Sequence, residues 1–359
     1  MSAQRPWAWP LMPLYRAVIA IKDRLRGTPK RLQWPVVSVG SISAGGAGKT
    51  PVVIALAKML RARGWDVDVL SRGYGRTGHG VEWVAALGDR AAERYGDEPV
   101  VIARATGVPV WVSGNRFAAG QAAESGVGGR VGTPNGNHNH ENEGALNSPE
   151  VRGVRGVHLL DDGFQHRQLA RNFDVALVTA KDLNDTLLPA GNLREDFDAL
   201  QRADAVVVRE DELDDVKART WKLMRDGAQM WVVRRKLVFP APLFVFSAGL
   251  RPVAFCAIAR PESFQAMLTE SGCGVVETIA FPDHHAYGMR DMERILEVGR
   301  QMNATGFVTT EKDNVKLTRG MRERLETVGP LMVAGLEAEF ADANAVVSAL
   351  ESRLGAQTA

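Results

Sequence analysis

An α/β fold, with a mainly parallel sheet and a second, smaller α/β lobe after it, is the architecture this chain predicts, and three observations predict it. Short apolar runs alternate with segments of helical spacing, the pattern of buried parallel strands whose two faces are covered by helices. A glycine-rich turn stands between the first such run and the first helix that follows it. With 359 residues, 45% hydrophobic and 24% charged, the chain is long enough for two domains with proper cores, and its composition excludes the disordered and collagen-like classes.

The N-terminal segment comes first in the chain and is unusual. Trp7, Trp9, Leu11, Leu14, Tyr15, Val18, Ile19 and Leu25 recur at spacings of three and four. Pro10, Pro13 and Arg16 interrupt the run well short of the ~20 apolar residues that a spanning helix needs. Arg16 inside the apolar part also makes it a poor signal peptide. Through residue 31, seven basic residues face Asp23 alone, a local charge of +6. Tryptophans, one apolar stripe and flanking cations compose a helix that lies in a membrane interface over anionic lipid, or else one packed on the domain. The whole chain carries only +2, so bulk charge gives no argument for nucleic-acid binding. Cys256 and Cys273 are the only cysteines, which excludes a disulfide framework and suits a reducing compartment, with the cytosol as the expected setting.

After Pro35, Val36 to Val39 reads as a short buried strand ending at Gly40, and a helix is expected through about Arg63. Further strands are expected at Val67 to Leu70, Val157 to Leu160, Val175 to Thr179 and Ala205 to Val208. Between Gly126 and Gly156 the composition turns to Gly, Asn, His, Pro and Glu, which reads as a flexible insertion holding His138 and His140 as solvated residues. An acidic patch at Glu210 to Asp215 and a basic one at Arg234, Arg235 and Lys236 read as solvated faces or connections. A second series then begins, with strands expected at Val253 to Ile258, Val275 to Ala280, Phe307 to Thr310 and Leu331 to Ala334.

The chemistry is written most clearly at Ser43 to Pro51. Gly45, Gly46, Ala47, Gly48, Lys49, Thr50 and Pro51 stand between a strand and a helix, the context of a phosphate-binding P-loop. Its glycines let backbone N–H groups turn inward around phosphate oxygens, Lys49 reaches the β- and γ-phosphates, and Thr50 can ligate magnesium. Ser43 stands where the strict pattern has glycine, and is compatible only with an ordinary backbone conformation there. Asp161 and Asp162, at the end of the Val157 to Leu160 strand, supply the second magnesium-organising carboxylate that a P-loop requires. Asp97 in Gly-Asp-Glu-Pro and His284 in Pro-Asp-His-His are candidates for the base that takes a hydroxyl proton, though spacing cannot pair residues so far apart.

These residues resemble the tetraacyldisaccharide 4′-kinase family of lipid A biosynthesis. The similar segments are Val37 to Gly40 with Gly45 to Pro51, Ser71-Arg-Gly-Tyr-Gly-Arg76, Gly96-Asp-Glu-Pro99, Asp161-Asp-Gly-Phe-Gln-His166, Leu188-Pro-Ala-Gly-Asn-Leu-Arg-Glu195, Asp283-His-His285 and Thr309-Thr-Glu-Lys-Asp313, in one order over most of the chain. The resemblance implies a P-loop kinase that uses ATP and Mg²⁺ to phosphorylate the 4′-hydroxyl of a tetraacylated glucosamine disaccharide 1-phosphate, giving lipid IVA. It also implies work at the cytoplasmic face of a bacterial inner membrane, with no nucleic acid involved.

By the same resemblance Asp97 is the catalytic carboxylate, and His284 works with it, with His285 as the alternative register. Lys49 acts on the transferring phosphoryl group, and Asp161 and Asp162 organise magnesium, with the choice between them open. Tyr74, Arg76, Arg116, Arg194 and Glu195 contact the substrate. The implied organisation is an interfacial helix over 1–31, a P-loop kinase domain over 32–235 interrupted by the 126–156 insertion, and a smaller lobe over 236–359. The competing class is a membrane-associated partitioning or targeting ATPase, a switch that carries a lysine just before its paired glycines; here that position is Ala44.

Overall fold

The computed structural model describes residues 5–25, 27–126, 155–239 and 249–355. In chain order the strands are β1 (Val36–Ser41), β2 (Asp66–Ser71), β3 (Glu82–Trp83), β4 (Val110–Val112), β5 (Gly156–Asp161), β6 (Phe173–Leu177), β7 (Ala205–Arg209), β8 (Gln229–Val238), β9 (Pro252–Cys256), β10 (Glu277–Ala280), β11 (Gly306–Thr310) and β12 (Leu331–Phe340). Among the described residues they form one sheet in the order β10-β9-β11-β12-β8-β7-β6-β1-β5-β2-β4-β3. Two parallel halves meet edge to edge, because β12 pairs antiparallel with β8, and only the short β3 adds another antiparallel partner at the far edge. The Val- and Leu-rich parallel strands β1 and β5 are buried along their whole length, as helices on both faces require.

The core follows the same division. One cluster gathers Val37, Val39, Val53, Leu56 and Leu159 around β1 and the helix Lys49–Ala62, and another gathers Phe255, Ile295, Leu296 and Phe307 in the second half. Each such fully buried side chain contributes on the order of 1.5–3 kcal/mol. Val346, Leu350 and Leu354 of the C-terminal helix Ala343–Gly355 join the first cluster, and the Trp65 indole N–H donates to Glu351 across 3.4 Å. The expected cut at 235/236 thus falls inside β8, and the last helix returns to the P-loop half.

Two readings of composition are corrected. Arg234, Arg235 and Lys236 are not a connection but part of β8; Arg234 and Lys236 are exposed, the solvated face that was the other expectation, while Trp231, Val233, Arg235 and Leu237 share the opposite face by the period of two. Gly156 is not insertion but the first residue of buried β5; a β-carbon there would overlap the Trp34 ring, so glycine is required by packing. Positions 127–154, which hold His138 and His140 and most of the expected insertion, lie outside the described residues.

His158 on β5 is completely buried, with Nδ1 2.7 Å from Asp68 Oδ1 and Nε2 3.2 Å from Glu124 Oε1. Burial alone would depress its pKa, but the two carboxylates hold both ring protons and push it up to about 9. A folded value raised above the ordinary 6.5 contributes stability that is full below about pH 6.5 and is lost as pH rises through about 9. His158→Leu leaves Asp68 buried without its partner and is expected to cost about 3–5 kcal/mol in urea unfolding at neutral pH. The variant should also lack the share of the decline that His158 contributes as pH rises through about 9.

At the N-terminus a 3₁₀ turn, Pro6–Leu11, leads into the helix Met12–Arg24. Ala8 is buried, and Met12 and Tyr15 pack on the cluster that holds Phe164, Leu187 and Leu193. Arg16 pairs with Asp196 at 3.2 Å and Asp23 with Arg167 at 2.7 Å, which fixes the helix to the body. The opposite face stays bare: Trp7, Leu14, Val18, Ile21 and Leu25 are all more than half exposed. The described residues contain no helix long and apolar enough to cross a membrane.

Candidate active site

β1 lies at the centre of the parallel half, between β5 and β6, and the P-loop leaves its carboxyl end, the edge at which open α/β sheets bind ligands. Gly45, Gly46 and Gly48 all take positive φ, at 75°, 61° and 84°, a conformation that side chains resist. Ser43 does not; it bridges Leu193 in antiparallel fashion, and its carbonyl accepts from the Ser41 hydroxyl at 2.7 Å. Serine is therefore compatible with this position. The loop borders a cavity of about 220 Å³ closed from the other side by the second half of the sheet, through Ile258, Arg260, Phe264, Met267 and Leu336. Apolar walls over a phosphate cradle suit a nucleotide base and its triphosphate.

Asp161 and Asp162 stand at the end of β5. Asp161 is buried, and its Oδ2 accepts from the Ser71 hydroxyl at 2.9 Å while its Oδ1 has no partner. Burial first, then the negative charges of Glu98 and Asp162, push its carboxyl up to about 7. Asp162 takes a positive φ of 49°, and its carboxylate meets Lys49 Nζ at 3.3 Å and the Arg194 guanidinium at 2.8 Å. Burial would raise its pKa, but Lys49 and Arg194 outweigh burial and hold it below the usual carboxylate range. A buried carboxylate oxygen without a partner, beside an already neutralised neighbour, suits a hard divalent cation with Thr50 as the hydroxyl donor. The described residues hold no cluster of three or more His, Cys, Asp or Glu that would form an all-protein cage.

Asp97 opens the helix Asp97–Thr106, and His284 comes from the loop after β10. The fold brings His284 Nδ1 to 2.9 Å from Asp97 Oδ2, across 187 positions of sequence. His285 turns elsewhere: it pairs with Asp291 at 3.0 Å and stacks on Phe281. Burial would raise the Asp97 pKa, but the His284 hydrogen bond and the Lys312 charge keep its carboxyl below the ordinary range. The hydrogen bond to Asp97 in turn raises His284. The Tyr74 ring lies 5.4 Å from the imidazole and is itself exposed.

A second cavity, of about 1030 Å³, begins at Asp162, Arg116 and Arg194 and runs to Val18, Ile21 and Leu25 of the N-terminal helix. Arg116 is buried with its Nε unpartnered, and burial, then the nearby Arg72, lowers its pKa to about 10. Arg76 and Glu195 are engaged by the protein itself. Arg76 donates to the carbonyls of Val112 and Gly80 at 3.1 and 2.6 Å, and Glu195 accepts from Arg202 at 2.7 Å. Sequence reasoning passed over three further cations, Arg235, Arg260 and Lys312, which line the nucleotide cavity. Alternation along β8 was a usable signal for Arg235, and the Thr-Thr-Glu-Lys-Asp segment one for Lys312; nothing in the sequence marked Arg260.

The family model of tetraacyldisaccharide-1-P 4′-kinase matches residues 4–355. A tetraacyldisaccharide 4′-kinase of Koribacter versatilis is 36% identical over 96% of this chain and 99% of its own length. Another, of Parvibaculum lavamentivorans, is 38% identical over 82% and 77%. A crystal structure of LpxK from Aquifex aeolicus in complex with ATP superposes with a TM-score of 0.69 at 26% identity, covering 97% of this chain and 98% of that one.

Proposed function

Because this chain belongs to the tetraacyldisaccharide-1-phosphate 4′-kinase family, we propose that it transfers the γ-phosphate of ATP to the 4′-hydroxyl of a tetraacylated glucosamine disaccharide 1-phosphate, giving lipid IVA in lipid A biosynthesis. The supporting observation is that the two cavities meet the chemistry from opposite directions. P-loop residues and His284 line the nucleotide cavity, and the larger one leads from Asp162 and Arg194 to the bare apolar face of the N-terminal helix. A kinase for a soluble metabolite has no use for that second route.

In this reading the P-loop amides and the N-terminus of the helix Lys49–Ala62 hold the phosphates, and Lys49 opposes the charge on the transferring group. Thr50 and Asp161 would hold magnesium, with Asp162 next to them; when bound, the ion neutralises phosphate charge. Asp97 accepts the proton of the attacking hydroxyl, oriented by His284. Arg116, Arg194 and Tyr74 face the phosphosugar, and guanidinium groups suit bidentate recognition of phosphate. Arg76 and Glu195 hold the walls in shape through the bonds given above.

The test is transfer of label from γ-labelled Mg-ATP to a tetraacylated disaccharide monophosphate in mixed micelles. A labelled bisphosphorylated lipid is expected. ATP hydrolysis and ATP-dependent dimerisation with no labelled lipid would overturn the proposal in favour of a switch ATPase.

We place the enzyme at the cytoplasmic face of the inner membrane, with the N-terminal helix in the lipid interface. Trp7 and Leu14 are exposed and do not line the substrate cavity. Trp7→Glu with Leu14→Glu is therefore expected to weaken binding to anionic vesicles by about tenfold or more, the equivalent of one lost apolar anchor. Turnover of micelle-dispersed lipid should change little. Unaltered vesicle binding would end the interfacial assignment.

A further inference from the structure

We infer that Lys312 is a positioning residue for the reaction: its ammonium group, inserted from the second lobe between Glu98 and Asp283, sets the proton tautomer of His284 and thereby the productive orientation of Asp97. The inference rests on the reading of Asp97 as the base.

Lys312 belongs to the short helix Glu311–Asn314 after β11. That turn is pinned from beneath. The Thr310 hydroxyl caps it by accepting from the Asp313 N–H at 3.1 Å. Asp313 is fully buried, accepts from the Ala257 N–H at 3.1 Å, and pairs with Lys316 at 2.8 Å. The lysine is therefore held at a fixed place, and its ammonium reaches across to the P-loop half. It lies 3.1 Å from Glu98 Oε1, 3.8 Å from Asp97 Oδ2, 3.8 Å from Asp283 Oδ1 and 3.4 Å from His284 Nε2. Burial alone would lower its pKa, but Glu98, Asp97 and Asp283 together raise it, so it stays charged.

A charged ammonium has three protons and no lone pair, so toward an imidazole nitrogen it can only donate. His284 Nε2 must then offer its lone pair, and the remaining ring proton sits on Nδ1, where it donates to Asp97 Oδ2. Asp283 Oδ2, at 3.8 Å from Nε2, is too far to compete as a hydrogen-bond acceptor. The Asp97 oxygen that does not face His284 accepts from the Glu98 backbone N–H at 2.9 Å, so the carboxylate is fixed at both ends.

The charged and titratable groups that face the imidazole are Asp97 from the helix Asp97–Thr106, Asp283 from its own loop and Lys312 from the second lobe, with the Tyr74 ring beside it. The two carboxylates raise its pKa and the ammonium opposes them. Removing that ammonium lets the imidazole take a second proton, whose Nε2–H turns toward Asp283. An imidazolium against Asp97 makes a weaker base.

The experiment measures kcat against pH at saturating Mg-ATP and lipid for wild type, Lys312→Met, Lys312→Arg and Asp97→Asn. Lys312→Met should move the acid limb of the profile up by about one pH unit, a loss of about tenfold near neutrality that recovers at higher pH. The KM for ATP should stay within about twofold, and Lys312→Arg should restore the wild-type limb. An equal loss at every pH would overturn the inference and leave Lys312 as a strut between lobes. A raised KM for ATP with an unmoved limb would overturn it as well, in favour of a phosphate contact. If Asp97→Asn itself retains activity, the base reading falls, a result distinct from either of those. Nitrogen-15 NMR of the histidines in the intact protein, with His284→Asn for assignment, needs no folded Lys312 variant. At a pH above the acid limb of the wild-type profile a protonated Nδ1 and bare Nε2 are expected, and the opposite tautomer would overturn the inference.

Discussion

Asp97→Asn is expected to lower kcat by about 10²–10⁴, the range for removing a positioned general base, with the KM for ATP little changed. The amide keeps the shape and can still accept from His284 Nδ1 through its oxygen, but a neutral amide is far too weak a base to take the hydroxyl proton. Stability should hold, because Lys312 keeps Glu98 and Asp283 as partners. Single-turnover transfer under saturating lipid is the measurement, and activity within about threefold of wild type would remove Asp97 from the chemistry. His284 and Lys312 hold the Asp97 carboxyl below the usual range, so it is ionised throughout the neutral region. An acid limb near neutrality therefore reports His284, whose pKa is raised, and not Asp97 itself.

Lys49→Met should reduce transfer by about 10²–10³ or more and raise the KM for ATP, since one side chain serves two charges. In the structure its ammonium lies 3.3 Å from Asp162. In the proposed complex it also faces the transferring phosphoryl group. Methionine keeps most of the aliphatic stem and removes the charge, leaving Asp162 with Arg194 alone. Circular dichroism and melting temperature should change little, because the side chain lies at a cavity wall and not in the core. Residual transfer above roughly a tenth of wild type would show that the P-loop amides and Arg194 suffice without it.

Where chemistry and local geometry coincide, the chain was readable. The P-loop needs one strand, one turn of glycines with positive φ and one helix start, all within about fifteen consecutive residues, so its neighbours in space are its neighbours in sequence. Asp161 and Asp162 were legible for a similar reason: they end an unmistakably apolar strand of a parallel sheet, and such ends collect at one edge. The apolar face of the N-terminal helix was legible because its spacing of three and four requires only a helix. The resemblance to a known family then added roles that local reading leaves open.

What the sequence alone determined was therefore the set of local devices: the phosphate loop, the acidic strand end, the amphipathic helix, and the parallel α/β class. Tertiary structure decided which distant groups meet. It set one of two adjacent imidazoles, His284, against Asp97 and the other, His285, against Asp291. It made β8 a strand by giving Arg235 and its neighbours a partner in β12, about a hundred residues later, and so joined two expected lobes through one sheet. It also surrounded Lys312 with carboxylates from two different lobes. The physical reason is the same in each case. Periodicity and turn chemistry act over a few residues, whereas a hydrogen bond between residues 187 positions apart exists only once the chain has buried its core and brought the two sheet halves together.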